Sequence, residues 1–435
     1  MLSAVTSQRR ISWGGGWMAL AVAFLALAGL PSAAAAQAGG PFATAAQGPF
    51  AAAAQAGGPF AAAQADGGAQ ASIIGGRAAS IAEFPSVAYI EAHVGQIGFA
   101  CTGTVVSPRV VLTAAHCVED LERGGFTPSG DYRVATGIAN PSQSTAANVF
   151  RVSETHVFPG FDPGILRGDA GILVLSTPTA APPLPLAGAG DAALYEGGAT
   201  VQLAGWGLTR ENAASPPASL RSTTMLVQDP AFCRRKTHGF YAPYSPAAQL
   251  CTLDQPAKKS GGCFGDSGGP AIGQRADGTP VELGIVSTGG PFCSTKLPNI
   301  FTRVDFVSTW VAEWIAATEA GAPRPVVDPH APFPLLTKPV AEGFTLLTLQ
   351  DRLGRRFEGA KQVFGGCRRA SRVRFRCEAS WIAGRFAYGA KVSPFYVRRQ
   401  DAVTWDSHFL IRWGALRCLR DSSRARHCQI HTLRG

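Results

Sequence analysis

A chain of 435 residues exceeds one ordinary domain and suggests two or three. Hydrophobic residues make up 46% and charged residues only 16%, which excludes a highly charged disordered protein or a long coiled coil. The longest apolar run, residues 18–30, falls short of the roughly 18–20 residues of a membrane span, which excludes a multi-pass membrane protein. The net charge of +10 is lopsided: from Val340 onward there are 19 Lys and Arg against 7 Asp and Glu, so this end carries +12 and the rest −2.

Residues 1–36 read as a secretory signal, with Arg9 and Arg10 before the apolar stretch and small residues at 32–36. An uncleaved anchor would need a longer apolar stretch and a positive flank after it, so export is expected. The ten Cys, an even number, then read as disulfides rather than metal ligands. Residues 37–72 are low in complexity and repeat Gly-Pro-Phe-Ala from Gly40, Gly48 and Gly58. Such a segment buries too little surface to offset its ordering entropy and is expected to be flexible.

From Ile73 the texture changes to short β-like runs at residues 86–92, 102–106, 109–113, 171–175, 200–204 and 281–287, separated by Gly and Pro. Many short strands with turns between them predict an all-β barrel or sandwich. The pattern ends in a helix, with Val307, Trp310, Val311, Trp314 and Ile315 on one face and Asp305 as its expected N-cap. Residues 321–339 hold six prolines and read as a linker. Residues 340–435 are basic and again β-like: Val373, Phe375 and Cys377 alternate with Arg372, Arg374 and Arg376, and Phe409, Ile411 and Trp413 share a period of two.

Two segments carry the chemistry: Thr113-Ala114-Ala115-His116-Cys117 and Gly265-Asp266-Ser267-Gly268-Gly269-Pro270. A serine is a poor nucleophile unless a base takes its proton, and the oxyanion that forms needs paired N–H donors. Glycines around Ser267 allow a tight turn that presents the N–H groups of Gly265 and Ser267 to one point. An imidazole, with an ordinary pKa near 6.5, suits His116 for the base. A third group must hold its tautomer, and Asp169, ahead of Gly171-Ile172-Leu173-Val174-Leu175, is the best candidate. Asp162, in Phe161-Asp162-Pro163-Gly164, is the competing carboxylate and reads as an ordinary turn residue.

Together with Ile73-Ile74-Gly75-Gly76 and Gly205-Trp206-Gly207, these segments resemble the chymotrypsin/trypsin family of serine endopeptidases, over roughly residues 73–317. The order His, Asp, Ser also matches, whereas subtilisins and α/β-hydrolases order the three differently. The resemblance implies an all-β fold of two antiparallel six-stranded barrels with a C-terminal helix over residues 73–320; the alternation and cysteine spacing of the residues beyond it add a small disulfide-bonded β-rich domain over 340–435, which resembles no recognised family. The resemblance implies Ser267 as nucleophile, His116 as general base and then acid, and Asp169 as the orienting carboxylate. It further implies disulfides Cys101–Cys117, Cys233–Cys251 and Cys263–Cys293. In the family, cleavage before the Ile-Ile-Gly-Gly segment frees an α-amine, here that of Ile73, which would pair with Asp266. Ser72 precedes the cut, so a tryptic activator is not expected, and residues 37–72 are a candidate propeptide. A spacer left by signal cleavage is the other reading.

At the pocket, Gly261 stands where trypsins carry an Asp, and Gly262 follows it, so a preference for Arg or Lys loses its basis. By the same resemblance Ser287, Thr288 and Gly289 pair with the substrate backbone. Thr288 replaces the usual Trp, and Gly289 leaves the mouth open. Asn299 stands where trypsin and chymotrypsin types usually have Gly, and it is expected to fill the pocket partly and offer an amide. The expectation is a modest pocket for small or medium uncharged residues, with a narrow polar preference through Asn299 as the alternative. Residues 137–152 lack the paired acids that hold calcium in many members, so no metal is expected, and no cofactor.

Cys367, Cys377, Cys418 and Cys428 form two matching spacings, Cys-x-Arg-x-Ser-x5-Cys, which suggest two disulfide-closed hairpins. The basic charge with Trp381, Tyr388, Trp405 and Trp413 interleaved is open to two readings. One is a surface for polyanions such as cell-wall polymer, nucleic acid or anionic lipid; the other is outward arginines over an aromatic core. The substrates expected are polypeptides, outside the cell. The alternative from a different class is an inactive protease-like surface-binding protein that acts through this basic end.

Overall fold

The computed structural model describes residues 73–435 except 95–96, 120–125, 211–218, 238–243, 291–292, 327, 329–330, 359, 400–401 and 417–429. The signal-like residues 1–36, the segment 37–72 and the Cys418/Cys428 pair lie outside the described residues.

After a two-residue strand β1 (Arg77–Ala78), six strands form the first barrel: β2 (Val87–Val94), β3 (Ile97–Ser107), β4 (Val110–Thr113), β5 (Tyr132–Thr136), β6 (Val149–Val157) and β7 (Gly171–Leu175). They close in the order β2-β3-β4-β7-β6-β5, all antiparallel. Every residue of β4 and β7 is buried, which explains why both read as unbroken apolar runs rather than alternating ones. The second barrel comprises β8 (Thr200–Gly205), β9 (Arg221–Val227), β10 (Gln249–Leu253), β11 (Pro270–Gln274), β12 (Pro280–Thr288) and β13 (Asn299–Arg303). Its order is β9-β10-β13-β12-β11-β8, closed by the β8–β9 pairing, with β1 attached to β9. Thus the two antiparallel six-stranded barrels expected from the sequence are present.

The first helix, α1 (Pro230–Thr237), carries Cys233. The second, α2 (Val304–Ala320), packs against β3, β4, β12 and β13, spanning both barrels. Val307, Trp310, Val311 and Trp314 are buried, as their spacing predicts. The expected cap is corrected: the helix starts one residue before Asp305, so Arg303 is the N-cap, and Asp305 in the first turn pairs with the Arg303 guanidinium at 2.6–2.9 Å. Gly321 ends the helix in the left-handed conformation at φ 67°.

The C-terminal sheet is β14 (Ala360–Ser371), β15 (Arg374–Ala383), β16 (Phe386–Arg399), β17 (Ala402–Ala415) and β18 (His431–Arg434), an antiparallel meander in chain order. Ahead of it comes a helix absent from the sequence reading, α3 (Lys338–Leu353), which packs on β14 to β17. It begins inside the expected linker. Pro339 sits in its first turn, where a missing N–H costs nothing. The hydroxyls of Thr345 and Thr348 bond back to the carbonyls of Ala341 and Phe344, each at 2.8 Å.

The alternation in β15 holds: Phe375 and Cys377 are buried while Arg376 is exposed. Cys367 and Cys377 are directly opposed across β14 and β15 and form a disulfide, as do Cys101–Cys117, Cys233–Cys251 and Cys263–Cys293. Trp381, Trp405 and Tyr388 are 2%, 2% and 6% exposed, so these aromatics are core, and no support remains for a polyanion-binding surface built on them. Among the described residues no helix is long and apolar enough to cross a membrane.

Candidate active site

Antiparallel pairing of β4 with β7 places Thr113 opposite Gly171. The chain leaving β4 and the chain entering β7 therefore emerge side by side at one end of the barrel, and they carry His116 and Asp169. The Asp169 carboxylate is fully buried and takes three hydrogen bonds. His116 N–H donates to Oδ1 at 3.0 Å, His116 Nδ1 faces Oδ2 at 2.7 Å, and the Ser287 hydroxyl donates to Oδ2 at 2.6 Å. A carboxylate at Nδ1 holds the proton there and leaves Nε2 as the basic nitrogen, on a side chain 12% exposed.

Ser267 comes from the second barrel, in the loop between β10 and β11. That loop is sewn to the first barrel: Thr102 N–H donates to the Ser267 carbonyl at 2.8 Å and the Thr102 hydroxyl to the Gly265 carbonyl at 2.9 Å. The Cys117 sulfur, one residue from His116, lies 3.7 Å from the Ser267 carbonyl. Ser267 itself is half-buried. Gly265 and Gly268 have φ of 98° and 81°, values that disfavour any side chain. A Cβ on Gly268 would also stand 2.8 Å from the Ala114 nitrogen, so the close approach of this loop to the histidine segment depends on glycine. Among the described residues, neither Gly265 N–H nor Ser267 N–H donates to another backbone group.

Asp266, next to Ser267, is fully buried and accepts from Gly207 N–H at 2.8 Å and Cys263 N–H at 2.9 Å. Burial pushes its carboxyl up to about 7, against the pull of those two donors. Ile73 is buried too, but in the 435-residue chain it is peptide-bonded to Ser72 and has no α-amine. The expected Ile73–Asp266 ion pair is therefore not part of the uncut chain.

Four of the residues named from the sequence for the pocket lie together. Asn299, 6% exposed at the start of β13, lies among Gly261, Gly262 and Gly289. Its Oδ1 accepts from Gly262 N–H at 3.2 Å, and a Cβ on Gly261 would stand 2.9 Å from that oxygen. Its Nδ2 faces Gly289, where an added Cβ would lie 2.6 Å away. Thr288 is half-buried at the end of β12. Ser287, read from the sequence as part of the segment that pairs with the substrate backbone, also turns its side chain to Asp169. No local pattern marks that contact, nor the anchoring by Thr102.

A barrel-paired serine loop, histidine turn and buried aspartate define a serine protease of the two-barrel class. The family model described as Trypsin matches residues 73–311, more than half of the chain, and the chain belongs to that family. It is similar to a trypsin-like protease of Streptomyces glaucescens, 30% identical over 252 residues that cover 57% of this chain and 84% of that protein. It is also similar to serine protease 28 of Mus musculus, 27% identical over 254 residues, 56% of this chain and 89% of that one.

Proposed function

We propose that the protein is a secreted serine endopeptidase that cleaves peptide bonds through Ser267, His116 and Asp169. The observation that carries this reading is the 2.7 Å contact between His116 Nδ1 and a fully buried Asp169 carboxylate, beside a half-buried serine on a glycine turn. Ser267 Oγ attacks the scissile carbonyl while His116 Nε2 takes its proton. The N–H groups of Gly265 and Ser267 hold the oxyanion. Collapse of the tetrahedral species returns the proton to the departing amine and leaves an acyl-enzyme. Water, activated by the same histidine, then releases the acid.

Four disulfides and the signal-like residues 1–36 support export. A cut after Ser72 gives the Ile73 amine that neutralises Asp266 and orders the loop of Ser267. The pocket, with Gly261 at its floor and Asn299 across it, accepts small or medium uncharged side chains and not Arg or Lys.

The deciding experiment is cleavage of a peptide library by protein beginning at Ile73, with Ser267→Ala alongside. Cleavage that vanishes in the variant supports the reading. Cleavage that survives overturns it, and silence from both, with the free Ile73 amine verified by mass, favours the inactive surface-binding protein.

A further inference from the structure

We infer that the C-terminal region is a working part of the protease site: through Tyr396 it holds the loop of residues 158–168, which delivers Asp169, and so acts as a positioning element. The inference rests on the catalytic assignment above.

Asp162, read from the sequence as a turn residue, does shape that turn. Its Oδ1 accepts from Gly164 N–H at 3.1 Å, and its backbone N–H donates to the Arg167 carbonyl at 2.9 Å. The second bond closes the loop on itself two residues before Asp169. The same Oδ1 also accepts the hydroxyl of Tyr396 at 2.9 Å, a contact spanning 234 residues of sequence. Both side chains are nearly sealed from solvent. Burial pushes the Tyr396 hydroxyl well above its usual value, with the nearby Asp162 carboxylate adding to the rise, so the hydroxyl stays a donor.

Tyr396 is a rigid post. It lies within the 14-residue strand β16, its N–H donates to the Val373 carbonyl at 3.0 Å, and its ring stands edge-on to Phe344 of α3. The loop is pressed against that post. A Cβ on Gly164 would come within 2.5 Å of Val340, so a side chain there has no room, and Ile165 packs into the C-terminal core with Val340, Phe344 and Tyr396. On the strand feeding the loop, Glu154 is gripped by both terminal nitrogens of Arg324, at 2.6 and 2.7 Å. A hinge on a flexible linker would not bury a hydrogen bond and a glycine contact at one loop. The loop it grips is the one whose far end sets the direction of the Asp169 carboxylate, and small misplacements of such groups are costly to rate.

The test compares purified wild-type protein with Tyr396→Phe, Asp162→Asn, Asp162→Ala and the double variant Tyr396→Phe/Asp162→Ala, with Ser267→Ala as the blank. Two readouts are taken: kcat and KM on a peptide, and the rate of serine sulfonylation by phenylmethanesulfonyl fluoride, which depends little on extended substrate contacts. Tyr396→Phe should lower kcat and the sulfonylation rate by the same factor, roughly 3- to 10-fold, with KM held within about twofold. Asp162→Asn keeps an acceptor for the tyrosine and should stay near wild type. Asp162→Ala should lose at least as much as Tyr396→Phe, because it also gives up the bond from Gly164 N–H, and the double variant should be no worse than Asp162→Ala alone, because the tyrosine acts only through that carboxylate. Wild-type rates in Tyr396→Phe, a loss confined to KM, or additive losses in the double variant would overturn the inference. Activity persisting in Ser267→Ala would overturn the catalytic assignment instead, and the inference with it.

Discussion

Ser287 Oγ lies 2.6 Å from Asp169 Oδ2, the same oxygen that faces His116 Nδ1 at 2.7 Å. The serine is 5% exposed and belongs to the second barrel, while the aspartate belongs to the first. A side chain from one barrel thus steadies the carboxylate of the other. Ser287→Ala should lower kcat/KM by roughly tenfold, since a hydrogen bond to a charged group is worth about 1.5 kcal/mol. An unchanged kcat/KM would show that the backbone N–H of His116 suffices to hold Asp169.

Activation depends on where the chain begins. Protein cut after Ser72 should exceed the uncut chain in activity by roughly two to four orders of magnitude, because a buried charge without its partner costs about 3–5 kcal/mol. Asp266→Asn should remove most of that gain. The check is activity followed alongside the N-terminal mass during processing. Equal activity in cut and uncut forms would remove the Ile73–Asp266 pair from the account.

Asn299 is expected to set the depth of the pocket. Asn299→Gly should shift cleavage toward larger residues before the scissile bond, by roughly 10-fold for each added methylene accommodated. Product sequencing from a peptide library reads this directly. A strong wild-type preference for Arg or Lys would contradict the absence of a carboxylate at Gly261.

Glu282 on β12 is fully buried between the barrels, with Oε1 accepting from the Thr104 hydroxyl of β3 at 3.1 Å and Oε2 lacking a hydrogen-bond partner among the described residues. Burial raises its carboxyl from 4.5 to about 8. The folded state therefore binds this proton more tightly than the unfolded chain does. Its contribution to stability is complete below the unfolded value and is lost as pH rises through about 8. Glu282→Gln mimics the protonated acid, so its melting temperature should match wild type near pH 4 and exceed it by several degrees near pH 9. Parallel melting curves across that range would rule out a titrating Glu282.

Much of the site was legible because its requirements are local. A serine that must sit on a left-handed glycine turn, a histidine following a buried β run and an aspartate preceding another leave short-range patterns at 265–269, 113–117 and 169–175. The barrels were legible as runs and turns for the same reason. The helix Lys338–Leu353 was not, because it straddles the boundary between the proline-rich stretch and the β-like basic end, and the face it buries is settled by packing on β14 to β17. The cap of α2 was misplaced by two residues because Asp305 satisfies its charge through Arg303 rather than by capping.

The sequence by itself carried the short motifs on which the family resemblance rests, and through that resemblance came the cysteine pairs of the barrels and the expectation of a pocket without a carboxylate at Gly261. Tertiary structure alone decided that Ser287 steadies Asp169 across 118 residues, that Glu282 lies sealed between the barrels, and that Tyr396 reaches Asp162 across 234. Periodicity and turn chemistry are written over a few neighbouring residues, since they follow from backbone geometry. A hydrogen bond between distant segments leaves no such mark, because its partners become neighbours only once both sheets have closed and packed.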